Sequence, residues 1–118
     1  MKVEVAIGEI FDKITILDIK LARIQDNERL MYVRGERETL DMALINEGIL
    51  IDSELYEELK DINTKIWDTE AKKEFDNEFI EFARLNAKYN DERFLVKKRI
   101  NEHYQCEIRE QKSYDRLY

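Results

Sequence analysis

The chain has 118 residues, of which 43% are apolar and 40% are charged, and its formal net charge at pH 7 is −7. This length suits one domain, and the composition excludes disordered, collagen-like and membrane-spanning proteins, while a single cysteine excludes a disulfide-rich scaffold. The acidic excess argues against a general nucleic-acid binder, whose surface usually carries excess basic residues.

The first predicted helix follows Gly8. Apolar residues recur there at steps of three and four, which places them on one face of a helix. This face consists of Ile10, Ile14, Leu17, Leu21 and Ile24, with Phe11 on one flank. Residues 3–7 alternate briefly between apolar and polar types, which predicts a short extended segment before the helix.

The second predicted helix runs from about Glu28 to Asn46. Asp26 is a good N-cap residue, and the run from Asn46 to Gly48 is the clearest stop signal in the chain. Gly35 weakens this helix, because glycine is a poor helix former. Its apolar stripe is also the weaker one and consists of Leu30, Val33, Leu40 and Leu44.

The third predicted helix is capped by Asp52 and Ser53 and reaches about Glu74. The fourth begins after Asp76 and Asn77, and the last dozen residues of the chain have no strong period. The apolar stripes consist of Leu55, Leu59, Ile62 and Ile66 on the third helix and Phe79, Phe82, Leu85, Tyr89, Val96 and Ile100 on the fourth.

Opposite charge predicts that the third and fourth helices pack as an antiparallel pair. Residues 52–81 carry a net charge of −7, and residues 82–118 carry +3. The two segments therefore attract each other. In this arrangement we expect Glu70 to approach the N-terminal half of the fourth helix near Arg84, or a cation of the first helix.

These patterns together predict an all-α fold, a bundle of about four amphipathic helices forming a single domain over residues 1–118. The lone Cys106 fits a reducing compartment, and the acids near the N-terminus do not fit a signal peptide, so we expect a cytoplasmic protein. Apolar residues in segments 28–47 and 107–118 exceed what one bundle covers, which predicts a homodimer.

A polar, partly cationic seam lies beside the apolar stripe of the fourth helix. With about 100° per residue, five polar residues fall on one side of this helix. They are Asn86, Asn90, Arg93, Lys97 and Asn101. Burying such groups without partners is costly, so they must meet other side chains, water or a ligand.

Two interpretations of the seam stay open. In the first, Glu70 pairs with Arg93 or Lys97, and the seam fixes the register of the helices. In the second, the cations line a cleft for a small anionic ligand such as a phosphate or a carboxylate. The candidate ligand-binding residues are Lys13, Lys20, Trp67, Glu70, Asn90, Arg93 and Lys97.

Other candidate sites are weaker. Glu54, Glu58 and Asp61 have the spacing with which acidic helices hold Mg²⁺ in nucleotide hydrolases, but a chain with 27 acidic residues produces such spacings freely. His103 is the only histidine, and Cys106 lacks the context of a redox motif. The sequence therefore predicts no catalytic residue, no metal site and no cofactor.

Four segments resemble a family of small, functionally uncharacterised helical proteins from bacteria and phages. They are GEIFDKITILDIK at 8–20, NTKIWDTE at 63–70, FIEFARLNAKYNDERFLVKKRIN at 79–101 and EIREQKSYDRLY at 107–118. The resemblance implies a shared fold but no activity, and the chain departs from the family pattern at Ala87 and Lys88. The family's polar positions would be Glu9, Asp12, Lys13, Lys20, Asn63, Trp67, Glu70, Arg84, Asn90, Asp91, Arg93, Asn101, Lys112, Ser113 and Tyr114.

We expect a non-enzymatic binding or assembly module with a homodimer partner and a cleft for a small anionic ligand, and no partnership with nucleic acid or membrane. The alternative is a small metal-dependent enzyme that acts on a phosphorylated or nucleotide-like substrate through the acidic third helix. Thermal stabilisation by Mg²⁺ would favour the enzyme.

Overall fold

The computed structural model describes residues 6–71 and 79–115, and these form four helices. They are α1 (Ile7–Arg23), α2 (Asn27–Asn46), α3 (Ser53–Ala71) and α4 (Phe79–Asp115). The expected all-α architecture is confirmed. Residues 3–5 of the expected extended segment and the expected turn at Asp76 and Asn77 lie outside the described residues. None of the described helices is long and apolar enough to cross a membrane.

The helix boundaries follow the capping signals in the sequence. The Asp26 carboxylate accepts the backbone N–H of Glu28 at 2.9 Å at the start of α2. The Asp52 carboxylate accepts the backbone N–H of Leu55 at 3.0 Å at the start of α3. Gly48 follows α2 with a φ of 69°, a left-handed conformation that glycine adopts without steric cost.

Helix α1 is the centre of the bundle, because it contacts each of the other three helices, whereas α2 contacts only α1 among these four. Phe11, Ile14, Leu17 and Ile19 of α1 are all buried. The sequence placed Phe11 on the flank of the apolar stripe, but its side chain belongs to the main core, because neighbours cover α1 on several sides. The buried residues of that core are Phe11, Leu59, Ile62, Val96, Ile100 and Tyr104.

Helices α3 and α4 run antiparallel, as the charge pattern predicts. Glu58, early in α3, forms an ion pair with Arg99, which lies beyond the middle of α4. Further along α3, the Lys65 ammonium lies 6.0 Å from the centre of the Tyr89 ring, earlier in α4. Helix α4 also continues to Asp115, through a stretch that has no strong apolar period in the sequence.

Candidate functional site

A closed polar network joins α1, α3 and α4 at the predicted seam. The Arg93 guanidinium donates two hydrogen bonds to the Asp12 carboxylate, one of them from Nε at 2.8 Å. The Asn63 amide donates to Asp12 Oδ1 at 2.9 Å and to Thr15 Oγ1 at 2.8 Å. The Thr15 hydroxyl in turn donates to the backbone carbonyl of Asp12 at 2.8 Å. Each of these four side chains therefore has a partner.

Asp12 stays ionised although it is buried. Its side chain is 6% exposed, against 27% for Arg93. Burial alone would raise the pKa of Asp12, but hydrogen bonds from Arg93 and Asn63 and the charges of Arg93 and Lys97 outweigh burial and lower the pKa. The same carboxylate raises the pKa of the Arg93 guanidinium. The pair is thus a mutually stabilised ion pair.

The seam continues towards the start of α1. The Lys97 ammonium lies 2.6 Å from the Glu9 carboxylate, and the Gly8 backbone N–H donates to Asn101 Oδ1 at 2.7 Å. A Cβ atom at Gly8 would lie 2.7 Å from the backbone oxygen of Lys97 and 2.9 Å from Asn101 Oδ1. Glycine at this position therefore allows the close approach of α1 to α4. The same close approach brings the Gly8 N–H within hydrogen-bonding distance of the Asn101 side chain.

The expected pairing of Glu70 with Arg93 or Lys97 is wrong, because α1 supplies both carboxylates. Glu70 is exposed and raises the pKa of Arg93 only weakly, through its charge. The expected approach of Glu70 to Arg84 or to a cation of the first helix stays a prediction. Among the described residues Glu70 forms no ion pair. A helical wheel gives the face of a residue but not its depth, so it could not separate Asp12 from Glu70.

The remaining predicted site residues are spread around the seam. Lys20, Trp67 and Asn90 are half-buried, and the Asn90 amide donates to the Asn86 backbone carbonyl of its own helix at 2.8 Å. Lys13 is exposed and lines a groove of about 530 Å³ beside α2. The α1 residues that contact Arg93 and Lys97 are thus the acids Asp12 and Glu9, whereas Lys13 borders α2.

A second charged cluster, which the sequence interpretation missed, ties α2 and α3 to α1. The Arg37 guanidinium donates to Asp18 at 2.9 Å and also contacts Asp41, and the Tyr56 hydroxyl donates to Asp18. Burial raises the pKa of Tyr56, and the hydrogen bond and negative charge of Asp18 raise it further. The signal in the sequence was Asp18 beside Phe11, on the flank of α1 opposite the lysines.

Two of the three acidic residues of α3 that have the spacing of a magnesium site contact bases. Glu58 pairs with Arg99, and Asp61 lies 3.1 Å from Lys65. Within residues 6–71 and 79–115, no three histidine, cysteine, aspartate or glutamate side chains are grouped so that they could hold a metal ion.

The outward side of α2 carries exposed apolar side chains. Met31 is 70% exposed, Tyr32 78% and Met42 55%. They lie opposite Val33 and Leu44, which α2 buries. We call the exposed side, consisting of Met31, Tyr32, Gly35, Thr39, Met42 and Ala43, the outer face of α2.

The chain belongs to DUF6165, a family of unknown function, whose family model matches residues 1–117. The family resemblance expected from the sequence is therefore confirmed. No curated protein and no solved structure matches the chain.

Proposed function

We propose that this member of a family of unknown function is an assembly module that forms a homodimer through the outer face of α2. The observation that carries the proposal is the one-sided packing of α2. Among the described helices, α2 contacts only α1, and its large apolar side chains Met31, Tyr32 and Met42 are more than half exposed. Several large apolar side chains exposed on one face of a helix are typical of protein interfaces, whereas scattered single residues are ordinary.

The internal pairing of the seam also favours assembly over ligand binding. Arg93 and Lys97 already contact the carboxylates of Asp12 and Glu9, so these cations need no bound anion to offset their repulsion. Lys13 and Lys20 form no ion pair among the described residues. A small anionic ligand, if one binds, would therefore contact Lys13 or Lys20 rather than Arg93.

The proposed compartment is the cytoplasm. The argument comes from the sequence: Cys106 is the only cysteine, so the chain cannot form an internal disulfide bond. Bacteria or phages are the proposed source, in line with the family resemblance.

Sedimentation equilibrium over a range of protein concentrations tests the proposal. We expect the apparent mass to rise from 14.3 kDa towards twice that value. One helix face offers less than the roughly 800 Å² per partner of a standard interface, so we expect a dissociation constant in the micromolar range or weaker. The double variant Met31→Ser/Tyr32→Ser should remain monomeric.

The matched control is Phe94→Ser/Leu95→Ser on α4. These side chains are 66% and 57% exposed, so the control removes comparable apolar surface away from α2. It should dimerise like the wild type, and both double variants should keep the helical circular dichroism of the wild type. A wild-type chain that stays monomeric at about 1 mM would contradict the proposal.

A further inference from the structure

We infer that two copies of the chain pair through α2 in an antiparallel arrangement, about a two-fold axis level with residues 36–37, with Arg34 of each copy beside Glu38 of the other. This inference rests on the proposed assembly function and adds the geometry of the interface. It follows from the order of charged, large and small residues along one exposed helix.

The first argument is the position of the charges. In an antiparallel pair of identical helices, residues whose numbers add up to a constant lie level, and a two-fold axis brings the same flank of both helices together. Arg34 and Glu38 are exposed and lie on one flank of the outer face, within about 40° of each other. They form no ion pair within the described chain. With the axis level with residues 36–37, Arg34 of each copy meets Glu38 of the other, so the attraction arises at two symmetric contacts.

The second argument is the match of large and small side chains. A sum of about 73 sets Met31 level with Met42 of the other copy. It sets Tyr32 within two helical residues, about 3 Å, of Ala43 on the opposite flank. Gly35 then lies level with Thr39. The bulky ring of Tyr32 thus meets the small side chain of Ala43, and the middle of the contact holds Gly35 and Thr39, which are also small.

The third argument is Gly35 itself. Glycine inside a helix costs about 1 kcal/mol relative to alanine. Nothing in the described chain requires a glycine here: its φ is not positive, and a Cβ atom would meet no other atom within 4 Å. A second helix that crosses within two residues of Gly35 can approach the backbone of α2 closely, because glycine has no side chain.

Thr39 and Glu28 agree with this arrangement. The Thr39 hydroxyl donates to the Gly35 backbone carbonyl at 2.9 Å, so covering Thr39 leaves no unpaired donor. In a parallel pairing, Glu28 of one copy would lie beside Glu28 of the other, because this residue is in line with Gly35 and Thr39 around the helix. In the antiparallel pairing, Glu28 lies level with Asn46 of the other copy instead. Repulsion between like charges therefore disfavours the parallel alternative.

Charge reversal tests the inference. Arg34→Glu alone sets two acids together at each contact, and Glu38→Arg alone sets two bases together, so we expect each to raise the dissociation constant about tenfold or more. The double variant Arg34→Glu/Glu38→Arg restores opposite charges and should regain the wild-type constant to within about threefold.

The control reverses a charge with the same spacing on another helix. Lys88→Glu on α4 also sets an acid four residues before a glutamate, Glu92, and so reproduces the effect of a like-charge pair within one helix. It should leave the dissociation constant unchanged. Circular dichroism verifies that every variant is folded.

The outcomes separate the geometry from the proposed function. If the wild type dimerises and the double reversal rescues both single reversals, the antiparallel pairing stands. If the wild type dimerises and the single reversals dimerise equally well, the pairing is wrong while the assembly function survives. A monomeric wild type overturns both.

Discussion

The α1–α4 seam and the outer face of α2 differ in whether their side chains find partners within the chain. At the seam, Arg93, Asp12 and Asn63 satisfy one another within a single chain. On α2, Met31 and Tyr32 are more than two thirds exposed in the part of the chain that the structure describes. The charged residues of the seam thus have partners within the chain, whereas these apolar side chains of α2 face solvent.

This contrast teaches that residue type alone does not mark a binding surface. The sequence draws attention to the cations of the seam, yet α1 supplies a carboxylate to each cation that contacts it. Helix α2, whose apolar stripe is the weaker one in the sequence, instead carries several large apolar side chains that are more than half exposed. The interface that we propose therefore lies on the exposed apolar residues of α2 rather than on the cations of the seam.

Arg93→Met tests the seam and should have the largest effect. It leaves Asp12, whose side chain is 6% exposed, without its charged partner. Breaking a buried ion pair costs roughly 3–5 kcal/mol, and we expect about 3 kcal/mol here because Arg93 is partly exposed. Urea unfolding measures the loss. Glu70→Gln, which removes an exposed acid near the same guanidinium, should change stability by less than about 0.5 kcal/mol.

The same variants decide between the two interpretations of the seam. If it is structural, phosphate or sulfate at constant ionic strength raises the melting temperature of neither the wild type nor Arg93→Met. A rise for the wild type that Arg93→Met abolishes would instead establish an anion site at the seam.

Alanine substitutions at Gly8 and Gly35 test the seam and the outer face of α2 through smaller changes in the free energy of unfolding. Gly8→Ala forces a methyl group to within 2.7 Å of the Lys97 backbone oxygen, so we expect a loss of about 1–3 kcal/mol. Gly35→Ala meets nothing within 4 Å in the chain and should stabilise the monomer by up to about 1 kcal/mol. Urea unfolding of dilute protein measures both. A stable Gly8→Ala variant would contradict the described approach of α1 to α4.

Acidification should act on the seam and produce the smallest effect. The folded-state pKa of Asp12 lies below its usual value, so the unfolded chain binds the proton more tightly. The stabilisation from Asp12 is therefore complete above about pH 4 and is lost as the pH falls through the folded-state pKa. Urea unfolding of the wild type and Asp12→Asn at about pH 5 and about pH 3 should show the stability gap narrowing in acid. A constant gap would show that Asp12 is not stabilised in its charged form.

Local patterns in the sequence determined the helices and much of their packing. The three-and-four spacing of Leu59 and Ile62 in α3 predicts their burial, because one face of a helix must leave water. Asp26, Asp52 and Gly48 predict the helix ends, since capping depends on neighbouring backbone groups alone. Opposite charges predict the antiparallel pairing of α3 and α4. The wheel also placed Arg93, Lys97 and Asn101 on one side of α4.

Only the tertiary structure decided which partners these residues meet. Asp12 rather than Glu70 binds Arg93, because the crossing of α1 over α4 sets depth and register, and neither is encoded in the period of one helix. The cluster of Asp18, Arg37 and Tyr56 likewise joins three helices that no local pattern aligns. The exposure of α2 follows from the same cause. Whether an apolar side chain is covered depends on which helices pack against it, and of the helices that the structure describes only α1 packs against α2.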